Sequence, residues 1–294
     1  MIKPLVENWD EFWFKPSSGV SVTRTRVLLA SVATVWFGSF LAKSGYWFGE
    51  QGVLNLATSS QLLGYAQTSR VLNWSPLWLT DSLLAIRVWL VLGVLASLAV
   101  LVGVGGRISV AVWLVIAVGW AHRIFWLSSP VEPALVAMMG YLLVVPGAMI
   151  LRTSPVEESA LHTLVRRLIQ VHVWMLLLAG LLSALASLTW WRGEGIWWLA
   201  SAGRSNLLTQ ELLSNARVVN FLSHAMLVGY GLTLWWLVVP VTRQLGVCVG
   251  WMCCAGIALL ADQILYAAVL AAGLSAFWPV ASDRKTTASE DLQP

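Results

Sequence analysis

Charge is what this chain has least of: 11% of its 294 residues are Asp, Glu, Lys or Arg, against about 25% in a soluble globular domain. Too few ionic side chains remain to cover a water-exposed surface, which excludes an ordinary soluble fold. Cysteine is also scarce. Cys248, Cys253 and Cys254 fall in one apolar run without Cys-x-x-Cys spacing, which excludes a disulfide framework or a cysteine zinc site. Neighbouring thiols on a helix point about 100° apart, so Cys253 and Cys254 read as small packing residues rather than a redox pair. The first 26 residues lack the apolar segment and small-residue cleavage site of a secretory signal, so the first span is expected to direct insertion. A net charge of +4 does not point to nucleic acid. In a membrane protein such an excess serves orientation and contact with anionic headgroups.

What is present is long apolar sequence: 58% of residues are hydrophobic and 19 are Trp. A hydrocarbon core of about 30 Å needs roughly 20 apolar helical residues. Stretches of that kind occur at about 27–42, 82–104, 108–127, 133–151, 168–189, 218–240 and 245–274. The expectation is an all-α, polytopic transmembrane helical bundle of about seven spans with interfacial amphipathic helices. Residues 1–26, with Trp9, Phe12, Trp13 and Phe14 beside Lys3, Lys15, Arg24 and Arg26, form an interfacial segment. Residues 27–275 form the membrane domain. Residues 276–294 form a tail, polar and aperiodic from Ser282, that is expected to be disordered. Residues 43–81 form an outer connection with a short interfacial helix near 59–68, and 152–167 a solvated one. Trp190, Trp191, Trp197 and Trp198 in the 190–217 segment read as an outer aromatic belt.

Seven spans put Lys3, Lys15, Arg24, Arg26, Arg107, Arg152, Arg166, Arg167 and Arg243 on one side. Lys43, Arg70, Arg123, Arg192, Arg204, Arg217, Arg284 and Lys285 fall on the other. The balance is nearly even, and the first span weighs most. Four basic against three acidic residues precede it. That places the N-terminus in the cytoplasm, with a bacterial inner membrane as the expected location.

The chain resembles the HTTM family, the membrane domain shared with vitamin K-dependent gamma-carboxylase. "WDEFWFKPSSGVSVTRTRVLLA" at 9–30 is similar to that family's aromatic entry, and "YWFGEQGVL" at 46–54 to the turn after its first span. "AHRIF" at 121–125 stands where the family often has His-Arg-Asn. "RRLIQVHVWMLLLAGLLSALASLTWWRGEGIWWLA" at 166–200 resembles its span with a WW-x-G exit. The resemblance implies a base lysine in that span, and the position it aligns is Ala184. It also implies a histidine near the start of the next span, where this chain reads Ser128-Ser129-Pro130-Val131-Glu132-Pro133. A general base needs a group with a tunable pKa, and both positions lack one. The implied reading is a divergent relative without the carboxylase chemistry.

Among polar residues in the spans, Asp262 is the sharpest. It lies within span 245–274, beside Gln263 and four residues before Tyr266, and so shares a helix face with Tyr266. A mid-bilayer carboxylate costs about 2.5–3.5 kcal/mol, which requires a partner or protonation. Asp262 is then either a proton or cation site or a structural hydrogen-bonding anchor. Arg87 snorkels outward, or pairs with Asp262 if their helices touch. Arg166, Arg167 and Gln170 anchor the inner end of span 168–189, with a lipid phosphate as an additional contact. His162 and His172 fall at the inner side and His122 and His224 toward the outer, so His172 and His224 could not ligate one iron. Ordinary interfacial histidines are the preferred reading over haem. Gly246-x-x-x-Gly250 permits close helix approach. No cofactor, metal or catalytic set is expected. The expected role is binding of an amphipathic lipid- or quinone-like ligand between the third and sixth spans. The alternatives are a membrane enzyme using Asp262 with a histidine, and a proton-coupled transporter using Asp262. Against the transporter, the spans read as unbroken and no internal repeat is evident.

Overall fold

The computed structural model describes residues 3–65, 75–80, 82–127, 129–145, 158–201, 211 and 213–279. Every extended element among them is helical, as the apolar runs require. The polar tail from Ser282, the connection at 152–157 and residues 146–151 of the fourth expected span lie outside the described residues. Five helices are long and apolar enough to cross a membrane: α2 (Val20–Ala42), α5 (Leu83–Val102), α8 (Ala160–Ala186), α11 (Ala216–Val238) and α12 (Arg243–Leu260). The third expected span is α6 (Arg107–Arg123), of 17 residues. The fourth begins as α7 (Val131–Tyr141) and continues as a 3-10 turn to Val144. The chain is a multi-pass membrane protein.

By internal contacts it divides into two compact units, Met1–Thr25 with Val156–Pro294, and Arg26–Pro155. In the Arg26–Pro155 unit, α5 and α6 form an antiparallel pair across the turn Gly103–Gly106. Gly103, Gly105 and Gly106 all have positive φ, a conformation open to glycine without Cβ strain. Phe37 of α2 lies directly on Gly93 of α5, where a Cβ would sit 2.6 Å from the ring. Two indole N–H groups find acceptors inside the unit, Trp113 donating to Ser97 Oγ (2.8 Å) and Trp89 to the Ile116 carbonyl (3.1 Å), while that of Trp120 is buried without one. Hydrocarbon offers no other partner. Two short helices, α3 (Ser44–Phe48) and α4 (Leu56–Tyr65), follow α2; α4 overlaps the position of the short helix expected near 59–68.

In the other unit, α1 (Lys3–Phe14) packs on the first turns of α8, and α8, α11, α12 and α13 (Ile264–Leu274) pack together. Between α8 and α11 the chain makes two short helices, α9 (Leu188–Trp191) and α10 (Gly195–Ser201). The Trp-Trp-x-Gly exit is a tight turn docked on α11. Gly193 has φ 76, Ser223 Oγ donates to its carbonyl, and Asn220 Nδ2 donates to that of Arg192. The close approach expected at Gly246 occurs: a Cβ there would lie 2.9 Å from the backbone N of Leu237.

The seventh expected span is not one helix. α12 ends at Leu260, α13 begins at Ile264, and Asp262 between them is exposed with φ 55. Asp262 therefore does not share a helix face with Tyr266, and the spans are not all unbroken. The break takes the carboxylate out of a continuous apolar helix, and Asp is among the few residues other than Gly that tolerate the left-handed region.

Candidate functional site

Where α12 gives way to α13, a cavity of about 150 Å³ opens among α8, α9, α11 and α13. From α8 it is walled by Leu177, Gly180 and Ala184, one helical face at four- and three-residue spacing. Trp190 is held there because Gly195 has no side chain; a Cβ on Gly195 would meet the indole at 2.3 Å. α11 contributes Met226 and Tyr230, and α12 contributes Ile257. The segment after the break contributes Gln263, Tyr266 and Leu270. The walls are apolar. Their polar groups are the Tyr230 and Tyr266 phenols, the Gln263 amide and the Trp190 indole N–H. Among the described residues no lysine, carboxylate or imidazole lines the cavity. The lining can hold and orient a ligand.

Of the residues singled out in the sequence, Gln263 and Tyr266 reach this cavity and Asp262 does not. Arg87 belongs to the Arg26–Pro155 unit, where its Nε donates to Ser44 Oγ (3.1 Å). Arg167 and Gln170 make internal clamps. Arg167 lies over the Phe12 ring at 4.3 Å, and donates to the Phe12 carbonyl and to Gln170 Oε1. Gln170 is buried, and its amide nitrogen Nε2 donates to the Ala276 carbonyl (2.8 Å). Tyr230 is not singled out in the sequence, whereas Trp190 is, as one of four tryptophans read as an outer aromatic belt in preference to a ligand-gripping cage. A phenol in an otherwise apolar span, in a chain with five Tyr, was the available signal for the first.

Among its described residues the Arg26–Pro155 unit buries three ionisable groups, Arg26, Arg123 and Glu132, and the last two make networks that the sequence did not place in a core. Arg123, 2% exposed, donates to Ser59 Oγ (2.7 Å) and the Leu54 carbonyl (3.0 Å), with its guanidinium over the rings of Phe48 and Trp78. Glu132, 5% exposed, accepts from the Trp36 indole at one oxygen and from Ser129 N–H and Oγ–H at the other. These bonds fix the loop before α4 and the start of α7. Compared with known proteins, the chain matches no family model, no curated protein and no solved structure.

Proposed function

We propose that this membrane protein is a divergent HTTM-like binder of an amphipathic, quinone-like lipid, whose ring occupies the cavity beside Ala184. The supporting observation is the match of size and chemistry there. An apolar cavity of about 150 Å³ accepts one benzene ring, whereas drug-sized ligands need roughly 300–1,000 Å³. The space of about 150 Å³ therefore suits a single ring. Tyr230, Tyr266 and Gln263 provide hydrogen bonds for ring oxygens. The lipid's tail has a path in an adjoining apolar groove of about 250 Å³ between α11 and α12, which shares Met226 with the cavity. Ala184 presents a methyl group where carboxylation chemistry requires an amine, so the role is retention of a ligand rather than proton abstraction.

The test is extraction and mass spectrometry of lipids retained by the purified protein and by Ala184→Phe, which fills the ring space. Wild type should carry a ring lipid, and the variant about tenfold less or lower at unchanged elution and melting. Equal retention by both proteins, or no ring lipid on the wild type, overturns the proposal.

The helix break favours a second reading, proton-coupled transport through Asp262, because transporter sites are commonly built on interrupted helices. Asp262→Asn keeps a residue that tolerates positive φ and removes the charge. Proton flux in proteoliposomes that is lost in this variant, with melting unchanged, supports the reading; absence of flux in the wild type removes it.

A further inference from the structure

α11 and α12 run antiparallel and press together over one end of their seam. A Cβ added at Gly246 would lie 2.9 Å from the Leu237 backbone N, and one at Gly250 would lie 3.0 Å from Thr233 Cγ2. Further along, a Cβ on Gly229 would meet Cys253 Sγ at 2.9 Å. On Gly256 it would meet nothing within 4 Å. Small residues let two helix backbones approach closely, and here they do so from Gly246 to Gly229. About 15 Å along α12 from its tightest point, at Gly256, the seam is open. The opening is the groove of about 250 Å³, with Leu222, Ala225 and Gly229 on one wall and Val249, Met252 and Gly256 on the other.

The two sides of this groove differ in what they face. Outward, Ala225 is exposed and Met252 is 72% exposed, with Val228 and Leu259 exposed beside them. That surface is apolar throughout, so the groove opens where hydrocarbon covers the helices. Inward, Met226 lines both the groove and the cavity that holds Tyr230, Tyr266 and Gln263. The groove's own side chains are aliphatic, apart from two thioethers and the Cys253 thiol, which are weak hydrogen-bonding groups. A continuous path therefore runs from a space with hydrogen-bonding groups, past Met226, to an apolar cleft open to the bilayer.

A water-soluble ring compound has no part to place in that cleft. A ring lipid has one, its hydrocarbon tail. On the ring-lipid reading of the cavity, we infer that the site takes its ligand sideways from the bilayer and seats the tail between α11 and α12. Gly256 is then a specificity-determining residue, because its missing side chain leaves room for the tail.

para-Cresol and para-decylphenol share one ring and one hydroxyl and differ in the tail. Binding of each to the protein in nanodiscs, measured against empty nanodiscs, tests the inference. Wild type should bind both, and Ala184→Phe neither. Gly256→Leu, whose side chain enters the groove, should bind para-decylphenol about tenfold more weakly and para-cresol as wild type does. Undiminished para-decylphenol binding by a Gly256→Leu protein with wild-type melting overturns the tail site and leaves the ring cavity standing. Failure of wild type to bind either phenol overturns both. A second measurement needs no variant. para-Decylphenol with a diazirine at the end of its tail should, on illumination, label wild type at groove residues of α11 and α12, and excess untagged para-decylphenol should suppress the label. Suppressible adducts confined to other helices overturn the tail site.

Discussion

Arg123 shows how a residue's chemistry can be visible while its place is not. In the sequence it is one more cation, counted with those on the outer side. In the fold it points inward, because Phe48 and Trp78 supply ring faces and Ser59 with Leu54 supply acceptors. The two acceptors lie 64 and 69 positions away, which no local pattern connects. Arg123→Ala should destabilise the protein by about 2–4 kcal/mol, since two acceptors and two ring faces lose a charged donor. Arg123→Lys should cost about 1–2 kcal/mol, because an ammonium cannot reproduce the fork. Thermal melting in detergent reads both; an unchanged midpoint in Arg123→Ala would contradict the cage. Glu132 makes the converse case. Both its oxygens accept, one from Trp36 and one from Ser129. Glu132→Gln turns one acceptor into a donor facing a donor, and should cost about 1–3 kcal/mol although it is nearly isosteric.

At the scale of elements, the long apolar helices were legible and their interruptions were not. Hydropathy alone locates α2, α5, α8 and α11, because each has to be apolar around most of its surface. The break between α12 and α13 escaped because residues 261–263 contain neither Pro nor Gly, the usual markers of a stop. The polar Asp262-Gln263 pair was the trace it left. The Gly246-x-x-x-Gly250 spacing was readable, and the structure grades its members. A methyl on Gly246 meets backbone at 2.9 Å; on Gly250 it meets side-chain ends of Leu274 and Thr233; on Gly256 it meets nothing within 4 Å. Backbone cannot yield as a side-chain end can. Gly246→Ala should therefore destabilise by about 1–3 kcal/mol and Gly250→Ala by less. Gly256→Ala should be neutral or stabilising by up to about 1 kcal/mol through helix propensity. Melting midpoints in any other order would contradict the packing described.

For the molecule as a whole, the decisive property is how much of each span faces outward while remaining apolar. Between 22% and 39% of the windows defining the five long helices is buried within the protein, so hydrocarbon must cover the rest. On α5 the outward residues include Leu84, Val88, Leu92, Leu95 and Val102, all apolar. The class of protein was legible in the sequence for this reason. The cavity beside Ala184 was not, since it depends on helices distant in sequence meeting there and on a break unmarked by sequence. Leu95, 55% exposed, lies near the middle of α5, and Leu84, 71% exposed, is the second residue of that helix. On a water-soluble surface either could become Arg with a change within about 0.5 kcal/mol. In a bilayer the mid-span cation costs about 2.5–3.5 kcal/mol of insertion, while a cation near the end reaches the headgroups along its own stem. Leu95→Arg should therefore lower the yield of membrane-inserted, monodisperse protein severalfold, and Leu84→Arg should leave it near wild type. Equal, undiminished yields from both variants would mean that the outward face of α5 does not meet hydrocarbon, and the membrane reading would fall with it.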